Sequence, residues 1–364
     1  MRAAADSVRA QIIAILHAWG MPGDLATETA EVMVETDLAG VDSHGIGMLP
    51  SYEKMRRDGQ VRLDARPHVV RETGAVALVD GGAGLGHPAA AFAMRLAIAK
   101  AKLNGVGAVA VRNSHHFGAA GWYAKLATAE GCVGLVTSGT RTMAMVPTRG
   151  AMPVLGTNPI AFAAPAGRHP PVSLDMATTT AAANKVRAHA LRGKPIPPGW
   201  VLDGAGRPVT EGAAAVAQVF ESPEGGLSPL GGIAEMASHK GYGLALMAHV
   251  LGATLSGGSF SPIRVRTQGP SDPDNIGHFM LALDPAAFRP AGEFEHDLDA
   301  AIEVLHATPP ADPALPVLVP GEPEVAEREA RLADGIPVPP KLVQDIRDIA
   351  GRAGAPFLLA PASA

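Results

Sequence analysis

The chain has 364 residues and a formal net charge of −5, with 47% hydrophobic and 18% charged residues, so its length and apolar content allow two domains. The negative charge argues against nucleic acid as a partner, because phosphate binding needs a basic face. Cys132 is the only cysteine, which excludes intrachain disulfides and cysteine-based zinc sites, and the lack of a leader-like or membrane-length apolar run predicts a cytoplasmic protein with no membrane partner.

Helical patterns open the chain. Apolar residues at helical spacing predict helices over 2–18 and 24–38. Pro50 fits the first position of a third helix, where its missing N–H is no loss, and Gly59 fits its end. The first part of the chain is therefore expected to be all helical.

Strand-like patterns follow from about residue 68. Apolar stretches bounded by glycine, proline or polar residues predict strands, with helices between and after them. The predicted strands lie at 68–80, 106–114, 133–139, 158–166, 170–178 and 275–284, and the predicted helices at 87–105, 118–130, 239–258, 295–307, 322–332 and 340–353. Residues 184–231 lack this alternation of strand-like and helix-like stretches, and their proline-rich part is expected to be a surface loop. The order of elements predicts an α+β fold whose terminal helices pack together.

Two turns carry histidine next to small or polar residues. Ser43-His44 precedes the third helix, and His115-His116 follows a strand and leads to Gly118, which opens a helix. A neutral histidine can move a proton near pH 7, and N–H groups at a helix start attract phosphate or carboxylate. Taken singly, each turn is more often structural than functional. Adjacent residues point apart and no acidic residue lies near His115-His116 in the sequence, so no metal site is predicted there.

The known nucleotide-binding motifs are absent. The glycines of "DGGAGLGHP" (80–88) lack the spacing of the dinucleotide fingerprint, and no acidic residue follows about twenty positions later. Other polar turns border apolar segments: "GTNP" (156–159), "LDMATT" (174–179), "SHKGYG" (238–243) and "PGEPE" (320–324). Lys240 stands out there, because a lysine buried beside an apolar helix needs an anion.

These turns, in this order, resemble the type-2 malate/L-lactate dehydrogenase family, which also contains ureidoglycolate dehydrogenase, 2,3-diketogulonate reductase and Δ1-piperideine-2-carboxylate reductase. The likeness spans about residues 5 to 330. It implies a non-Rossmann, homodimeric oxidoreductase that uses NAD or NADP on a small-molecule substrate. The implied mixed-sheet cofactor domain covers 71–235, with a strand near 275–284, and 1–70 and 236–364 form the helical domain.

The resemblance also assigns roles to residues. Hydride moves between the nicotinamide and a carbon next to a carboxylate, and His44, with Ser43 as its polar partner, moves the proton. His116 competes for that role, because some family members use the histidine at its position. Thr157 would approach the substrate carboxylate. The implied cofactor-binding residues are His116, Gly118, Asp175, Met176, Ala177, His239, Lys240, Pro320, Gly321 and Glu322.

One position departs from the family pattern. An arginine often stands four residues after the first histidine and holds the substrate carboxylate, but this chain has Met48. Either Arg56 or Arg57 could replace it, or the substrate could carry an apolar tail. Three readings stay open: a 2-oxo acid dehydrogenase, a reductase of cyclic imine 2-carboxylates, and a catalytically inert binding protein on the same scaffold.

Overall fold

Helices occupy both ends of the chain and alternate with strands between them. The computed structural model describes residues 1–266, 268–269 and 271–362. The helices are α1 (Ala5–Ala18), α2 (Gly23–Leu38), α3 (Leu49–Arg57), α4 (Gly86–Asn104), α5 (Ala120–Ala129), α6 (Ala183–Leu191), α7 (Gly212–Phe220), α8 (His239–His249), α9 (Ser261–Arg264), α10 (Glu293–His306), α11 (Glu322–Asp334) and α12 (Pro340–Ala353). A π-helical turn, Val250–Thr254, continues α8.

The strands form a central sheet and two small pairs. They are β1 (Arg2–Ala3), β2 (His68–Thr73), β3 (Val76–Asp80), β4 (Val106–Ser114), β5 (Val133–Gly139), β6 (Ile160–Ala164), β7 (Val172–Met176), β8 (Val201–Leu202), β9 (Gly226–Leu227), β10 (Ile276–Leu283) and β11 (Ile336–Pro337). Among the described residues, seven strands build the large sheet in the order β2-β3-β4-β10-β5-β6-β7. The β3–β4 pair is parallel and the other neighbours are antiparallel, so the predicted mixed sheet is confirmed.

The central sheet is covered on both faces. Helix α4 packs against β4 and β10, and α5 packs against β5 and β6. On the other face, α8 contacts β5, and the π-helical turn contacts β5 and β10. Strand β10 is accordingly buried over most of its length. This doubly covered strand explains the continuous apolar run in its sequence.

The terminal helices form a second apolar cluster. Helix α12 packs against α1 and α3, and α11 packs against α2. Fully buried side chains from these helices include Ile12, Leu16, Met33, Leu49 and Ile346. Strand β1 pairs with β11, which ties the beginning of the chain to its C-terminal part.

Two segments differ from the sequence expectations. The stretch expected as irregular, 184–231, contains α6, α7 and the β8–β9 pair, which share a small apolar core around Val186, Ile196 and Leu227. Helix α8, which the sequence places with the C-terminal helical part, packs against β5 of the sheet. The π-helical turn that follows fits closely there, because a Cβ on Gly252 would lie 2.7 Å from the Gly139 nitrogen. The domain boundaries stay a prediction. None of the helices in the described part of the chain is long and apolar enough to cross a membrane.

Candidate active site

A cavity of about 800 Å³ lies between the terminal helices and one end of the central sheet. The loop after α2, the start of α5, the loop after β5, helix α9 and the residue before α11 all contribute to its wall. The volume falls within the usual range of small-molecule and cofactor sites.

The strand directions explain why distant motifs meet here. Strands β4 and β5 both run antiparallel to β10, so their carboxyl ends lie at the same sheet end as the start of β10. Strand β6 begins and β7 finishes at that end as well, because Ile160 pairs with both Thr137 and Met176. The polar turns after β4, β5 and β7 and before β6 therefore converge on one cavity.

The buried carboxyl group of Asp37 holds the turn that carries His44. Asp37, at the end of α2, is 2% exposed, and its Oδ2 accepts the Ile46 N–H at 2.8 Å. A Cβ added to Gly45 would fall 1.8 Å from Asp37 Oδ1, so only glycine fits there. Burial raises the pKa of Asp37 to about 7, so a proton and the Ile46 N–H stabilise this carboxyl group.

His44 has a hydroxyl partner that suits both of its neutral forms. Ser43 Oγ lies 2.7 Å from His44 Nδ1, and a hydroxyl can donate to or accept from that nitrogen. Burial lowers the pKa of His44, which favours the neutral imidazole near pH 7. With Nδ1 engaged by Ser43, Nε2 is the nitrogen left for a substrate, and it can accept or deliver a proton.

His116 has partners that fix its protonation pattern. Its Nδ1 accepts the Gly118 N–H at 3.4 Å and lies 2.7 Å from the Tyr52 hydroxyl. Because a backbone N–H can only donate, Nδ1 is the unprotonated nitrogen and the neutral ring carries its hydrogen on Nε2. Burial, with the nearby His44 ring, lowers the pKa of His116. The His44 and His116 rings stack at 5.4 Å between centroids.

A buried acidic residue lies behind these histidines. His115 Nδ1 accepts the His116 N–H at 2.9 Å, and its Nε2 lies 3.1 Å from Asp274 Oδ2, within ion-pair distance but not aligned as a hydrogen bond. Arg141 and Arg264 approach the same carboxylate at 3.1 and 2.6 Å. Burial would raise the pKa of Asp274, but His115 and the two guanidinium groups hold it below its usual range.

Strand β10 contributes a further histidine, whose sequence pattern marks it only as part of a strand. His278 Nδ1 lies 2.9 Å from Ser138 Oγ and its Nε2 3.1 Å from Ser114 Oγ. Burial lowers the pKa of His278 to about 3, so it is neutral over the physiological range. Its ring stacks on Phe117 at 4.4 Å. With both nitrogens engaged, His278 supports the cavity wall.

The wall at the start of α5 is built from small residues. Gly118, Ala119, Ala120 and Gly121 line the cavity, and the Gly121 N–H donates to Asp175 Oδ2 at 2.7 Å. A Cβ on Gly121 would come within 2.9 Å of Asp175, and one on Gly321 would lie 3.0 Å from Ser173. A wall of small residues at a helix start leaves room for a nucleotide cofactor to approach the backbone closely. The residues present therefore fit the cofactor that the sequence implies.

Most of the predicted site residues meet at this cavity. The structure places the following along its wall: Ser43, His44, His116, Gly118, Thr157, Asp175, Ala177 and Gly321. These residues come from five separate parts of the chain. Their convergence follows from the sheet topology and from the contact of α2 with α5 and α11.

Other predicted site residues lie elsewhere in this chain. Met48 is partly buried against the apolar cluster of the terminal helices and is not among the lining residues of the cavity. His239 and Lys240 are exposed at the start of α8, so the expectation of a buried lysine is wrong. Met176 and Pro320 are not among the lining residues either. Glu322 accepts the Val319 N–H at 2.8 Å and pairs with His306, so it fixes the turn before α11.

Sequence reasoning missed several residues of the site. Arg141, Arg264 and His278 line the cavity, and Tyr52 and Asp274 contact its histidines. Tyr52 falls on the apolar side of α3, where it is indistinguishable from a core residue by pattern. The others have no local signal, because their partners are distant in sequence.

Comparison with known proteins supports one family. The family profile described as Malate/L-lactate dehydrogenase matches residues 3–347. A malate dehydrogenase of Pyrococcus horikoshii is 37% identical over 355 residues, which cover 97% of this chain and 96% of the relative. A sulfolactate dehydrogenase structure from Methanocaldococcus jannaschii superposes with a TM-score of 0.87 at 34% identity and covers 98% of both chains.

A related reductase has the same fold. The structure of Δ1-piperideine-2-carboxylate reductase from Pseudomonas syringae pvar. tomato superposes with a TM-score of 0.81 at 29% identity, covering 96% of this chain and 100% of the other. These matches extend over nearly the whole length, so they concern the complete sheet and the terminal helices together. The chain therefore belongs to the malate/L-lactate dehydrogenase family and is an oxidoreductase.

Proposed function

We propose that this protein is an NAD- or NADP-dependent dehydrogenase that interconverts small 2-hydroxy acids and 2-oxo acids. The observation that carries this proposal is the pair of neutral histidines, His44 and His116, stacked in one cavity. Relatives named malate dehydrogenase and sulfolactate dehydrogenase act on molecules of this class, which supports the choice.

The proton moves at His44 Nε2 in this proposal. Neutral His44 takes the hydroxyl proton of a 2-hydroxy acid at Nε2, while Nδ1–H donates to Ser43 Oγ. In the opposite direction, protonated His44 returns that proton to the oxygen of the 2-oxo acid. Ser43 assists both states because its hydroxyl can accept or donate. The lowered pKa of His44 favours its role as a base near neutral pH.

His116 orients the same oxygen. Its Nε2–H is a hydrogen-bond donor, since the Gly118 N–H and Tyr52 hold Nδ1. A donor fixed in this way polarises a carbonyl group without taking up a proton. This division of roles favours His44 over His116 as the acid/base residue.

The cofactor is proposed to lie along the start of α5, without a Rossmann fold. The nicotinamide, when bound, accepts or supplies the hydride. Gly118 and Gly121 have no side chain to block a cofactor at the helix start, and Asp175, Ala177 and Gly321 border the same wall. A sheet in which β3–β4 is the parallel pair supports this arrangement, because the Rossmann fold depends on a mostly parallel sheet.

The loss of NADH or NADPH absorbance tests this function. Purified protein is mixed with each cofactor and with pyruvate, oxaloacetate or 3-sulfopyruvate, and we expect turnover of at least one acid. A control without acid measures any background oxidation. The proposal fails if no 2-oxo acid is reduced with either cofactor while the protein is folded.

A second candidate function is reduction of cyclic imine 2-carboxylates. The likeness to Δ1-piperideine-2-carboxylate reductase favours it, because that enzyme shares the fold over nearly the whole chain. Adding Δ1-piperideine-2-carboxylate to the same assay separates the two. Turnover of the imine without turnover of 2-oxo acids would select this candidate, and cofactor binding without any turnover would indicate a binding protein.

A further inference from the structure

The loop after β5 carries an arginine that none of the motifs described above includes. Arg141 lines the cavity, and its side chain is 33% exposed. Its described contacts both use Nη1, which lies 3.1 Å from Asp274 Oδ2 and 3.4 Å from Gln60 Oε1. A guanidinium group has five N–H donors, so Nε and Nη2 remain for a ligand in the cavity.

Arg141 shares its acidic partner with other groups. Asp274 is 1% exposed, and Arg264 lies 2.6 Å from its Oδ1. Arg141 and His115 both lie 3.1 Å from its Oδ2. Among its described contacts, Arg141 therefore has no carboxylate oxygen to itself, and a substrate carboxylate in the cavity would give it one.

The position of Arg141 is set by its backbone. The Arg141 carbonyl accepts the Ser261 hydroxyl at 2.5 Å, and the neighbouring Thr140 N–H donates to Asn158 Oδ1 at 3.1 Å. Asn158 is 1% exposed and its Nδ2 donates to Ala245 O at 3.0 Å. A guanidinium on a fixed loop binds a carboxylate at little cost in side-chain ordering.

The other arginines considered for this role have different environments. Arg56 lies over the Trp19 ring at 5.5 Å, and Arg57 is exposed on α3. Neither belongs to the cavity wall. Arg328 does line the cavity, but it forms a two-pronged pair with Glu35 at 2.8 and 3.0 Å. Arg328 is thus already neutralised.

We propose that Arg141 binds the carboxylate next to the reacting carbon of the substrate, in place of the arginine that the family often carries where this chain has Met48. The proposal rests on the proposed function and specifies its substrate class as small 2-oxo acid anions. Asp274 holds Arg141 from behind and links it through His115 to the backbone of His116. The same carboxylate therefore positions the anion site and the catalytic turn.

The test compares an acid with its amide in matched variants. Arg141→Met removes the charge, Arg141→Lys keeps it, and Arg57→Met is the control outside the cavity. Turnover is measured for the 2-oxo acid that the wild type reduces best and for the primary amide of that acid. Arg141→Met should lower kcat/KM for the acid about 10- to 100-fold, the usual effect of losing a hydrogen bond to a charged group. Arg141→Lys should restore part of it.

The amide shows whether Arg141 acts on the negative charge of the substrate. It lacks the anion, so Arg141→Met should change its turnover by less than about threefold, within the effect of an ordinary polar contact. An equal loss for acid and amide would assign Arg141 a structural role and overturn the proposal. Unchanged turnover of the acid would overturn it as well. A loss seen with oxaloacetate but not with pyruvate would move the contact to the second carboxylate and contradict the assignment.

Oxamate binding separates this inference from the proposed function. Oxamate is a carboxylate that mimics pyruvate and is not reduced, so calorimetry with NADH present measures the anion site without turnover. Wild type and Arg57→Met should bind it alike, and Arg141→Met should bind it about 10- to 100-fold more weakly. Equal binding by all variants would refute the anion site. Weakened binding without turnover in the wild type would refute only the proposed function.

Discussion

His44 and His116 lie side by side, but their Nδ1 atoms have different partners. Ser43 leaves His44 free to change its protonation, whereas the Gly118 N–H requires an unprotonated Nδ1 on His116. A ring that keeps one tautomer is suited to donate a hydrogen bond, and a ring that exchanges tautomers is suited to transfer a proton. The hydrogen-bond partners of each ring thus give His44 and His116 different chemical roles.

Substitution of each histidine should expose this difference. His44→Ala should lower turnover about a hundredfold or more, the usual contribution of a positioned general acid or base, with cofactor affinity little changed. His116→Gln keeps an N–H donor and should retain more activity than His116→Ala. Steady-state kinetics and cofactor titration measure both effects. Activity of His44→Ala near that of the wild type would assign the proton to His116 instead.

The pH profile gives a second readout of His44. Its pKa is lowered by burial, so the neutral base persists below the ordinary histidine value of about 6.5. For oxidation of a 2-hydroxy acid, kcat/KM should therefore stay constant from pH 8 to below about 6.5 and fall only in more acidic solution. For reduction of the 2-oxo acid, kcat/KM should rise as the pH falls. A decline of the oxidation rate that begins above pH 7 would contradict a lowered pKa.

At the scale of elements, α2 supports the catalytic turn through one carboxyl group. Asp37 binds the Ile46 N–H, and Gly45 lies directly against its oxygen atoms. Its pKa is raised to about 7 in the folded protein, against about 3.9 in an unfolded chain, so the folded state binds this proton more tightly. The contribution of Asp37 to the free energy of unfolding is therefore complete at low pH and is lost as the pH rises from about 4 to 7.

Asp37→Asn should remove that dependence while keeping an oxygen acceptor for Ile46. The midpoint of thermal unfolding of the variant, relative to the wild type, should increase as the pH rises from about 4 to 7 and then level off. Asp37→Ala, which removes the acceptor, should be less stable than Asp37→Asn at every pH. Parallel curves for Asp37→Asn and wild type would show that Asp37 ionises with its ordinary pKa.

The elements that the sequence predicts well are those with a strong apolar pattern. Strand β10 and helix α4 are buried on more than one side, and their runs of apolar residues are unmistakable. Helices α6 and α7 have only nine residues each, and the proline-rich stretch between them hides their pattern. They form because the β8–β9 pair gives them a shared core.

The site is predictable to the extent that it consists of local motifs. Ser43-His44 and "GTNP" are recognisable because each turn needs its own glycine; a Cβ on Gly156 would fall 1.6 Å from Thr140 Oγ1. Arg141 has no such signal, since its significance depends on Asp274 and Ser261, which follow it by more than a hundred residues. Met48 shows the opposite case, a residue that a local motif places in the site although its side chain lies elsewhere. Its position in the motif is clear, but its side chain is drawn into the core of the terminal helices.

At the scale of the whole molecule, apolar side chains remain exposed along α8 and the π-helical turn. Leu246, Val250 and Leu255 are 45%, 47% and 59% exposed in the single chain. Contiguous exposed apolar residues of this kind are typical of interfaces. We propose that a second copy of the chain covers them, as the family resemblance implies, in a two-fold symmetric dimer.

Light scattering at micromolar concentration should therefore give the mass of a dimer, about twice the 37.2 kDa of one chain. Leu246→Glu combined with Val250→Glu should shift it to a monomer, because two charges would have to be desolvated at the interface. Leu103→Glu is the matched control, since Leu103 is 84% exposed on α4, away from this surface. A monomeric wild type would refute the dimer, and a dimer that persists in the double variant would place the interface on another face.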